Sequence, residues 1–343
     1  MLLPEVNLDY GKLYRMLFPP VRVRLLLTGI ELKVFNHLSK PSSAEEVAKK
    51  LRTHPRNTKI FLDGLTAINL IQKKSKLYKN TPITQSFLIE GSETYLGELL
   101  SFMANMDISL QNLTKLVKEG PSSEGVALTA GGGGPPSSQE MFRKAAMMMA
   151  NTQRAGDAQM AVGIVTKLPE FKSFQRMLDL GGGPGIIGMA IVSQHPEMNG
   201  VIFDLPPVVG IAEEFIEEYG LDERVKVLAG DFNRDSIGEG YDLVYTSNAL
   251  QFAGDIDLVV KKVFDALNPD GVFVSLFGFG QTHEGTKPEN LVLGLLSTEL
   301  MGQAASFEQG YIANSMIRIG FKSVQSRIIN TPWGPTDLDI CRK

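Results

Sequence analysis

A glycine-rich loop joins a strand-like segment to a helix-like segment near the middle of the chain. The stretch is MLDLGGGPGIIGMAI, residues 177–191. An apolar run passes through Asp179 into Gly181, Gly182 and Gly183, and a second apolar run follows. Glycines at such a turn let the backbone bend tightly and approach a bound cofactor closely. The pattern therefore predicts a strand, a loop and a helix that together hold a cofactor.

Acidic residues stand where the next two strand-like segments end. Asp204 closes VIFD and is followed by Leu205, while Asp231 and Phe232 follow VKVLAG. A carboxylate one strand beyond the glycine loop is placed to accept hydrogen bonds from ribose hydroxyls. Phe232 could stack on a base. Residues 183–188 also fit the GxGxxG pattern of nicotinamide dehydrogenases, a pattern that is weak alone.

Strand-like and helix-like segments alternate across residues 171–343. The strands are QRMLDL, GVIFDL, RVKVLAG, YDLVYTS and GVFVSLFG, and the chain ends in the pair FKSVQSRII and TDLDICRK. This alternation predicts an α/β fold with a parallel, doubly wound, Rossmann-like sheet.

Residues 1–100 predict a separate helical domain. Ser42 or Ser43 can cap one helix, His54 and Pro55 introduce a second, and KKSKLYKNT reads as a short hairpin. Helix, turn, helix and hairpin together resemble a winged helix. The first 80 residues carry 15 Lys and Arg against 6 Asp and Glu, whereas the remainder carries 19 against 32. Such different charge suggests two domains with different roles.

Residues 101–170 predict a helical connector between these domains. Residues 121–140 are rich in Gly, Pro and Ser and predict a loop. Met147, Met148, Met149 and Met160 stand out in the helices that follow, and Met147 and Met148 are candidates for lining an acceptor pocket. Methionine also fills irregular gaps in cores, so both interpretations stay open.

Composition excludes several classes of protein. No apolar run approaches the roughly 20 residues that span a bilayer, and the N-terminus lacks the pattern of a signal peptide, so we expect a cytoplasmic protein without membrane contact. The single cysteine, Cys341, excludes an internal disulfide and a cysteine-rich metal site, and we expect a strand residue there. No His, Asp and Glu spacing predicts a metal site.

In their order and spacing, LDLGGGPG, FDLP and GDF resemble the S-adenosylmethionine site of class I methyltransferases. Nearly the whole chain is similar to the O-methyltransferase family that includes plant caffeate-type, hydroxyindole-type and bacterial polyketide enzymes. The resemblance implies a Rossmann-like class I methyltransferase domain preceded by an α-helical winged-helix dimerisation domain. It also implies a homodimer formed through the N-terminal domain, S-adenosyl-L-methionine as cofactor, and a small, aromatic or apolar acceptor.

The resemblance assigns cofactor contacts residue by residue. They are Asp179, Gly181, Gly182, Gly183, Asp204, Leu205, Asp231, Phe232 and Ser247.

The same resemblance exposes a departure from the family. The family carries, after its fourth strand, a motif whose histidine deprotonates the acceptor hydroxyl. Matching YDLVYTSNALQFAG to that motif places Gln251 on the histidine and Phe252 on the acid that follows. An amide exchanges no proton near neutral pH, but it can orient an acceptor by hydrogen bonding. Asn248 and Phe252 are candidates for the acceptor pocket.

Three explanations of the missing base stay open. The acceptor can be an ionised oxygen, sulfur or carbon nucleophile or a neutral amine, which needs no base. His283, in GFGQTHEGTKPEN beyond the fifth strand, can serve instead, because an ordinary histidine titrates near neutral pH. Alternatively, the bound cofactor serves other chemistry and methyl transfer has been lost.

A function in another class is a winged-helix regulator that binds DNA and senses a ligand. The basic N-terminal half favours it, since cationic side chains bind phosphates. Against it, the helix TKIFLDGLTAINLI is apolar around much of its surface, as expected in a dimer interface. Nucleic-acid binding is therefore the less favoured alternative.

Overall fold

The computed structural model separates the chain into two compact units, Met1–Asp107 and Ile108–Lys343. The residues that the structure describes are 8–106, 113–120, 139–278, 309–332 and 334–343. His283 and residues 121–138 of the expected loop lie outside these ranges.

The first unit is mainly helical. Its helices are α1 (Gly11–Arg15), α2 (Phe18–Glu31), α3 (Ala44–Leu51), α4 (Pro55–Ala67), α5 (Pro82–Phe87) and α6 (Gly97–Met106). Its small sheet contains β1 (Ser42–Ser43), β2 (Ile71–Lys74) and β3 (Leu77–Asn80) in the order β1-β3-β2. The helix pair and the hairpin that the sequence predicts are both present.

Local sequence signals set the starts of these helices. Ser43 caps α3 in a capping box, because its hydroxyl accepts from the Glu46 N–H and the Glu46 carboxylate accepts from the Ser43 N–H. His54 caps α4, with Pro55 in the first turn. Asp63 of α4 accepts from Lys73 and Tyr78 of the hairpin and so ties the two elements together.

The second unit contains a seven-stranded sheet. Its strands are β4 (Arg176–Leu180), β5 (Asn199–Asp204), β6 (Val225–Ala229), β7 (Tyr241–Ser247), β8 (Leu267–Phe277), β9 (Ser323–Thr331) and β10 (Gly334–Arg342). Its helices are α7 (Leu113–Glu119), α8 (Gln139–Thr152), α9 (Ala158–Val165), α10 (Ile186–Ser193), α11 (Pro206–Glu218), α12 (Ile256–Ala266) and α13 (Tyr311–Ile319).

The strand order is β6-β5-β4-β7-β8-β10-β9. Strands β4 to β8 pair in parallel, and β10 pairs antiparallel with both β8 and β9. The sheet is therefore doubly wound, as the sequence predicts, with an antiparallel pair at one edge. From β4, the chain adds β5 and β6 on one side of the sheet and then returns to add β7 and β8 on the other side. This reversal creates a crevice at the carboxyl ends of β4 and β7, where ligands bind in open α/β sheets.

Apolar side chains cover both faces of this sheet. One core cluster contains α10 and α11 residues together with Ala146, Ala150 and Ala161 of the preceding helices. The other contains α12 and α13 residues and the fully buried Cys341. The prediction that Cys341 is a strand residue is confirmed. Within the described ranges, no helix combines the length and apolarity needed to cross a membrane.

A buried acid interrupts the second core. Asp339 of β10 is fully buried and pairs across the sheet with Ser275 of β8. Neither carboxylate oxygen has a hydrogen-bond partner among the residues that the structure describes. Burial raises the pKa of Asp339 to about 6. The Ser326 hydroxyl on the neighbouring strand β9 partly offsets this shift, and the charge of Asp337 adds to it. The folded state therefore favours the protonated acid, and ionising it costs stability.

We expect Asp339→Asn to change how stability depends on pH. The wild type should lose stability as pH rises from about 4, where the unfolded chain ionises, to about 6, where the folded protein does. Relative to wild type, the variant should gain at most about 3 kcal/mol between pH ~4 and pH ~8. Urea unfolding at both pH values measures this gain. Asp270→Asn, at an exposed acid, is the control, and a gain equal to the control's would contradict the assignment.

Candidate cofactor and acceptor site

The glycine loop is pinned to the neighbouring strand through its backbone. The N–H groups of Gly181 and Gly182 donate to the Phe203 carbonyl at 2.8 and 3.2 Å, and Gly185 N–H donates to the Gly182 carbonyl at 3.0 Å. Gly181, Gly183 and Gly185 have φ values of 69°, 61° and 79°, in the left-handed region that favours glycine. The loop therefore has a fixed shape at the carboxyl end of β4.

Two of these glycines also face crowded surroundings. A Cβ atom on Gly181 would lie 2.4 Å from the Ala249 Cβ, and one on Gly185 would lie 2.3 Å from the Ile202 Cδ1. Gly183 differs, because among the described residues only the Gln153 Nε2 comes within reach of an added Cβ, at 4.0 Å. The loop is closely packed at Gly181 and Gly185 and open beside Gly183, which leaves room for a ligand there.

Asp179 supports the loop from inside the protein. It is 2% exposed, and its Oδ2 accepts from the Gly188 N–H at 2.9 Å. Burial raises the pKa of Asp179 to about 7, although the Gly188 hydrogen bond opposes the shift. A carboxyl so deeply buried beside Gly182 and Gly188 favours a role in shaping the loop. Its direct contact with a cofactor stays a prediction.

Asp204 is the acid that reaches the open side of the loop. Its Oδ2 accepts from the Gly183 N–H at 2.8 Å, and its Oδ1 accepts from the Leu205 N–H at 2.7 Å. Burial raises the pKa of Asp204, and these two hydrogen bonds partly offset the shift. Each oxygen can accept a further hydrogen bond. Leu205 is 44% exposed beside it, so an apolar surface and a carboxylate occur together.

Asp231 and Phe232 differ in their surroundings. Asp231 accepts from the Asn233 N–H at 2.9 Å and from Arg234, and these donors lower the pKa of Asp231, with the Asn233 backbone contributing most. Asp231 is therefore ionised at neutral pH. Phe232 is 9% exposed and packs in the second core close to Gly181. That burial favours a packing role for Phe232, and its contact with a base stays a prediction.

The segment SNALQFAG follows β7 and lies against the glycine loop. Ser247 ends the strand, and Asn248 has a left-handed φ of 51°. The Asn248 Oδ1 accepts from the Gly278 N–H at 3.1 Å, so the side chain bridges the ends of β7 and β8. A left-handed conformation costs free energy for a residue other than glycine, although asparagine tolerates it best. Such strain is common at functional sites.

Gln251 occupies a 3₁₀ turn, Leu250–Phe252, within this segment. Leu250 is buried and anchors the turn in the core, whereas Phe252 is 63% exposed. Gln251 is half-buried, and no protein group in the described ranges hydrogen-bonds its side chain. Within the described part of the chain, its amide is therefore available to a ligand.

Sequence analysis missed Gln153. This residue begins a π-helical turn, Gln153–Asp157, between α8 and α9, where the sequence predicts only a helix pair. Its Nε2 donates to the Gly182 carbonyl at 3.3 Å, and its Oε1 is buried without a partner in the described part of the chain. Insertions of this kind recur at functional sites. An acceptor atom left unsatisfied beside the glycine loop suits a ligand that donates a hydrogen bond.

The other predicted residues occupy structural positions. Met148 is 7% exposed, and Met147 packs against the first core, so the surroundings of both match the core interpretation, and acceptor contact stays a prediction. The Nδ1 of His195 accepts from the N–H groups of Glu197 and Met198, which leaves Nε2 to donate to the Lys172 carbonyl. His195 is thus a structural residue. Among the described residues, no group of three His, Cys, Asp or Glu could hold a metal ion.

Three features meet at the crevice of the doubly wound sheet. They are the glycine loop, the Asp204 carboxylate at the end of the neighbouring strand, and the turn that carries Gln251. These features define a methyltransferase-type α/β domain. Two family models match the chain: the O-methyltransferase dimerisation domain over residues 19–90 and the O-methyltransferase domain over residues 133–300. The chain belongs to this O-methyltransferase family and is an S-adenosylmethionine-dependent methyltransferase. The predicted fold class and cofactor are confirmed.

Individual proteins show the same relationship. The chain is 31% identical to an N,N-dimethyltransferase of Streptomyces rimosus over 67% of its length and 66% of the relative's. It is 26% identical to a 3-hydroxy-5-methyl-1-naphthoate 3-O-methyltransferase of Streptomyces sahachiroi, over 67% and 65%. The alignment thus spans slightly less than two thirds of each relative. Human N-acetylserotonin methyltransferase, solved with S-adenosylmethionine, has a TM-score of 0.75 at 21% identity, with 99% of each chain covered.

Adding a methyl group should have different consequences at Gly181 and at Gly183. Gly181→Ala combines a left-handed φ with a clash against Ala249, so we expect a thermal unfolding temperature several degrees below wild type. Gly183→Ala shares the conformational strain, which costs roughly 1 kcal/mol, but meets no clash. It should lose more S-adenosylhomocysteine affinity than stability, because its methyl group points into the open side. Equal losses of stability in the two variants would contradict the packing difference between positions 181 and 183.

Proposed function

We propose that this enzyme methylates a small, planar, largely apolar acceptor whose nucleophilic atom needs no general base. The observation that carries the proposal is Gln251, an amide with no protein partner in the described ranges, at the position where the family has its histidine. The bound cofactor supplies a methyl group on a positively charged sulfur that leaves as a neutral thioether. The protein's own task is to hold and align the acceptor.

Several residues fit the cofactor. Asp204 offers carboxylate oxygens beside the open Gly183, as ribose hydroxyls require, and the exposed Leu205 offers an apolar contact for a base. Asp231 can accept a hydrogen bond from an adenine amino group. The unsatisfied Gln153 Oε1, next to the Gly182 carbonyl, suits a cationic or N–H donor such as an ammonium group. Ser247 is half-buried at the carboxyl end of β7, which borders the crevice.

The loss of a base is tolerable on energetic grounds. Fixing two reactants in line is worth about 7 to 11 kcal/mol, whereas a positioned base contributes roughly 10²- to 10⁴-fold, or about 3 to 5 kcal/mol. A nucleophile that already has a free lone pair needs only the larger contribution. Gln251 can supply it by hydrogen-bonding the acceptor, and Asn248 and Phe252 are the other pocket candidates on the same segment.

An aromatic amine is the acceptor that these features favour. It is neutral near pH 7, attacks through its lone pair and releases its proton to water afterwards, so an amide beside it suffices. The relationship to an N,N-dimethyltransferase supports a nitrogen acceptor, although another relative methylates oxygen. Ionised oxygen, sulfur or carbon acceptors meet the same requirement. A substitute base at His283 lies outside the described residues and stays a prediction.

The alternative functions are less favoured. Family membership supports retained methyl transfer over a cofactor kept for other chemistry. DNA binding would need a polar exposed face on α4, yet Ile60 places an apolar side chain on that exposed face. A cytoplasmic location stays a prediction.

We propose a homodimer formed through the N-terminal unit. The match to the dimerisation-domain model supports it, as does the order of α3, α4 and the β2–β3 hairpin, which fits a winged helix. An apolar groove of about 350 Å³ adjoins α2 and is lined by Pro20, Val21, Arg24, Leu25, Thr28 and Phe61. Leu13, Leu17 and Val21 are exposed nearby and would be covered in a dimer. Sedimentation equilibrium that shows only monomer at micromolar concentration would overturn this assembly.

Gln251→His tests the chemistry directly. A histidine there can accept a phenol proton, so methylation of 8-hydroxyquinoline should rise at least about tenfold, while methylation of 8-aminoquinoline should not. Release of S-adenosylhomocysteine measures both rates. Gln194→His, at an exposed glutamine just after α10, is the matched control and should give no such gain. If wild type already prefers the phenol and Gln251→His adds nothing, position 251 does not set the acceptor class.

A further inference from the structure

The carboxamide of Asn233 joins two loops that are far apart in sequence. Its Nδ2 donates to the Asp231 Oδ1 at 3.0 Å and to the Phe252 carbonyl at 3.1 Å. Its Oδ1 accepts from the Gly254 N–H at 2.9 Å. Both N–H groups and the carbonyl oxygen of the Asn233 side chain are therefore hydrogen-bonded, so these partners fix the orientation of its amide.

The second loop is the one that carries Gln251. Phe252 and Gly254 lie one and three residues after Gln251. No protein group in the described ranges hydrogen-bonds the Gln251 side chain. The backbone of the turn therefore decides where the Gln251 amide stands. Leu250 holds one end of that turn in the core, and Asn233 holds the other end.

The first loop carries an acid expected to contact the cofactor. Asp231 Oδ1 accepts from both the backbone N–H and the Nδ2 of Asn233, so any shift of this carboxylate moves the carboxamide with it. Arg234 pairs with the other side of Asp231, and Lys262 donates to the carbonyls of Phe232 and Asp235. We therefore expect the loop to keep its shape in a variant that lacks the Asn233 carboxamide.

We propose that Asn233 is a positioning residue that couples the cofactor site at Asp231 to the turn carrying Gln251. A ligand that contacts Asp231 and excludes water strengthens the hydrogen bonds of Asn233, because such bonds are stronger where the surroundings are less polar. The turn that carries Gln251 is therefore held more firmly when the cofactor is bound. This inference rests on the proposed cofactor contact of Asp231.

Hydrogen exchange with S-adenosylhomocysteine as the probe tests the coupling. In wild type, the ligand should slow exchange of the backbone amides of residues 250–254. In Asn233→Ala, the Gly254 amide should exchange about 3- to 10-fold faster without ligand, as expected for one lost hydrogen bond. Ligand should no longer slow the segment in this variant, although calorimetric affinity stays within about threefold, or about 0.65 kcal/mol, of wild type.

Two further variants separate coupling from a local structural role. Asn233→Asp keeps an acceptor for the Gly254 N–H but has no donor for Asp231 or the Phe252 carbonyl. It should retain part of the Gly254 protection and still lose the response to ligand. Asn199→Ala, at an exposed asparagine on β5, should behave as wild type.

The outcomes are distinguishable. Equal ligand-dependent protection in wild type and Asn233→Ala would overturn the coupling, and so would binding to wild type without any protection of residues 250–254. Failure of wild type to bind S-adenosylhomocysteine would instead overturn the proposed function, and the coupling with it.

Discussion

The close approach of Gly181 to Ala249 governs the arrangement of this active site. No side chain fits at position 181, because a Cβ there would lie 2.4 Å from the Ala249 Cβ. The glycine loop and the SNALQFAG segment are thereby brought together at the carboxyl ends of β4 and β7. In our proposal, the glycine loop holds the cofactor and the SNALQFAG segment faces the acceptor. A short distance between cofactor and acceptor is what methyl transfer requires, since alignment of the reactants can contribute about 7 to 11 kcal/mol.

Around that contact, hydrogen bonds secure each loop, and an ion pair between Arg234 and Asp231 adds to them in one loop. Asp204 accepts from Gly183, Asp179 accepts from Gly188, and Asn233 joins Asp231 to the turn that carries Gln251. Burial raises the pKa values of Asp179 and Asp204, because both carboxyl groups are removed from water. A site of this kind is built to position groups, and Gln251 fits it, because an amide positions without exchanging a proton.

The sequence predicted the parts of the site that depend on strand ends. Asp179 lies one residue before the end of β4, Asp204 ends β5, and Asp231 follows β6. Parallel strands bring such ends to one edge. The capping box at Ser43 was equally readable, since its two partners are three residues apart. Helix and strand patterns record local spacing, and these features are local.

Features that depend on tertiary contacts were not predictable. Asn233 pairs with residues about 20 positions away, and nothing in GDFN indicates those partners. The π turn at Gln153 leaves the helical pattern unchanged, and the left-handed φ of Asn248 follows from the junction of β7 and β8. The missing histidine was visible only through the family resemblance, because an amide by itself signals no chemistry.

Calorimetric titration of S-adenosylhomocysteine into wild type and Asp204→Asn tests the central claim most directly. The account predicts that wild type binds and that the variant loses at least about tenfold in affinity, or about 1.4 kcal/mol, because the amide replaces an acceptor oxygen beside Gly183. Asp222→Asn, at an exposed acid, should bind as wild type does. Unchanged affinity in Asp204→Asn would contradict the placement of the cofactor.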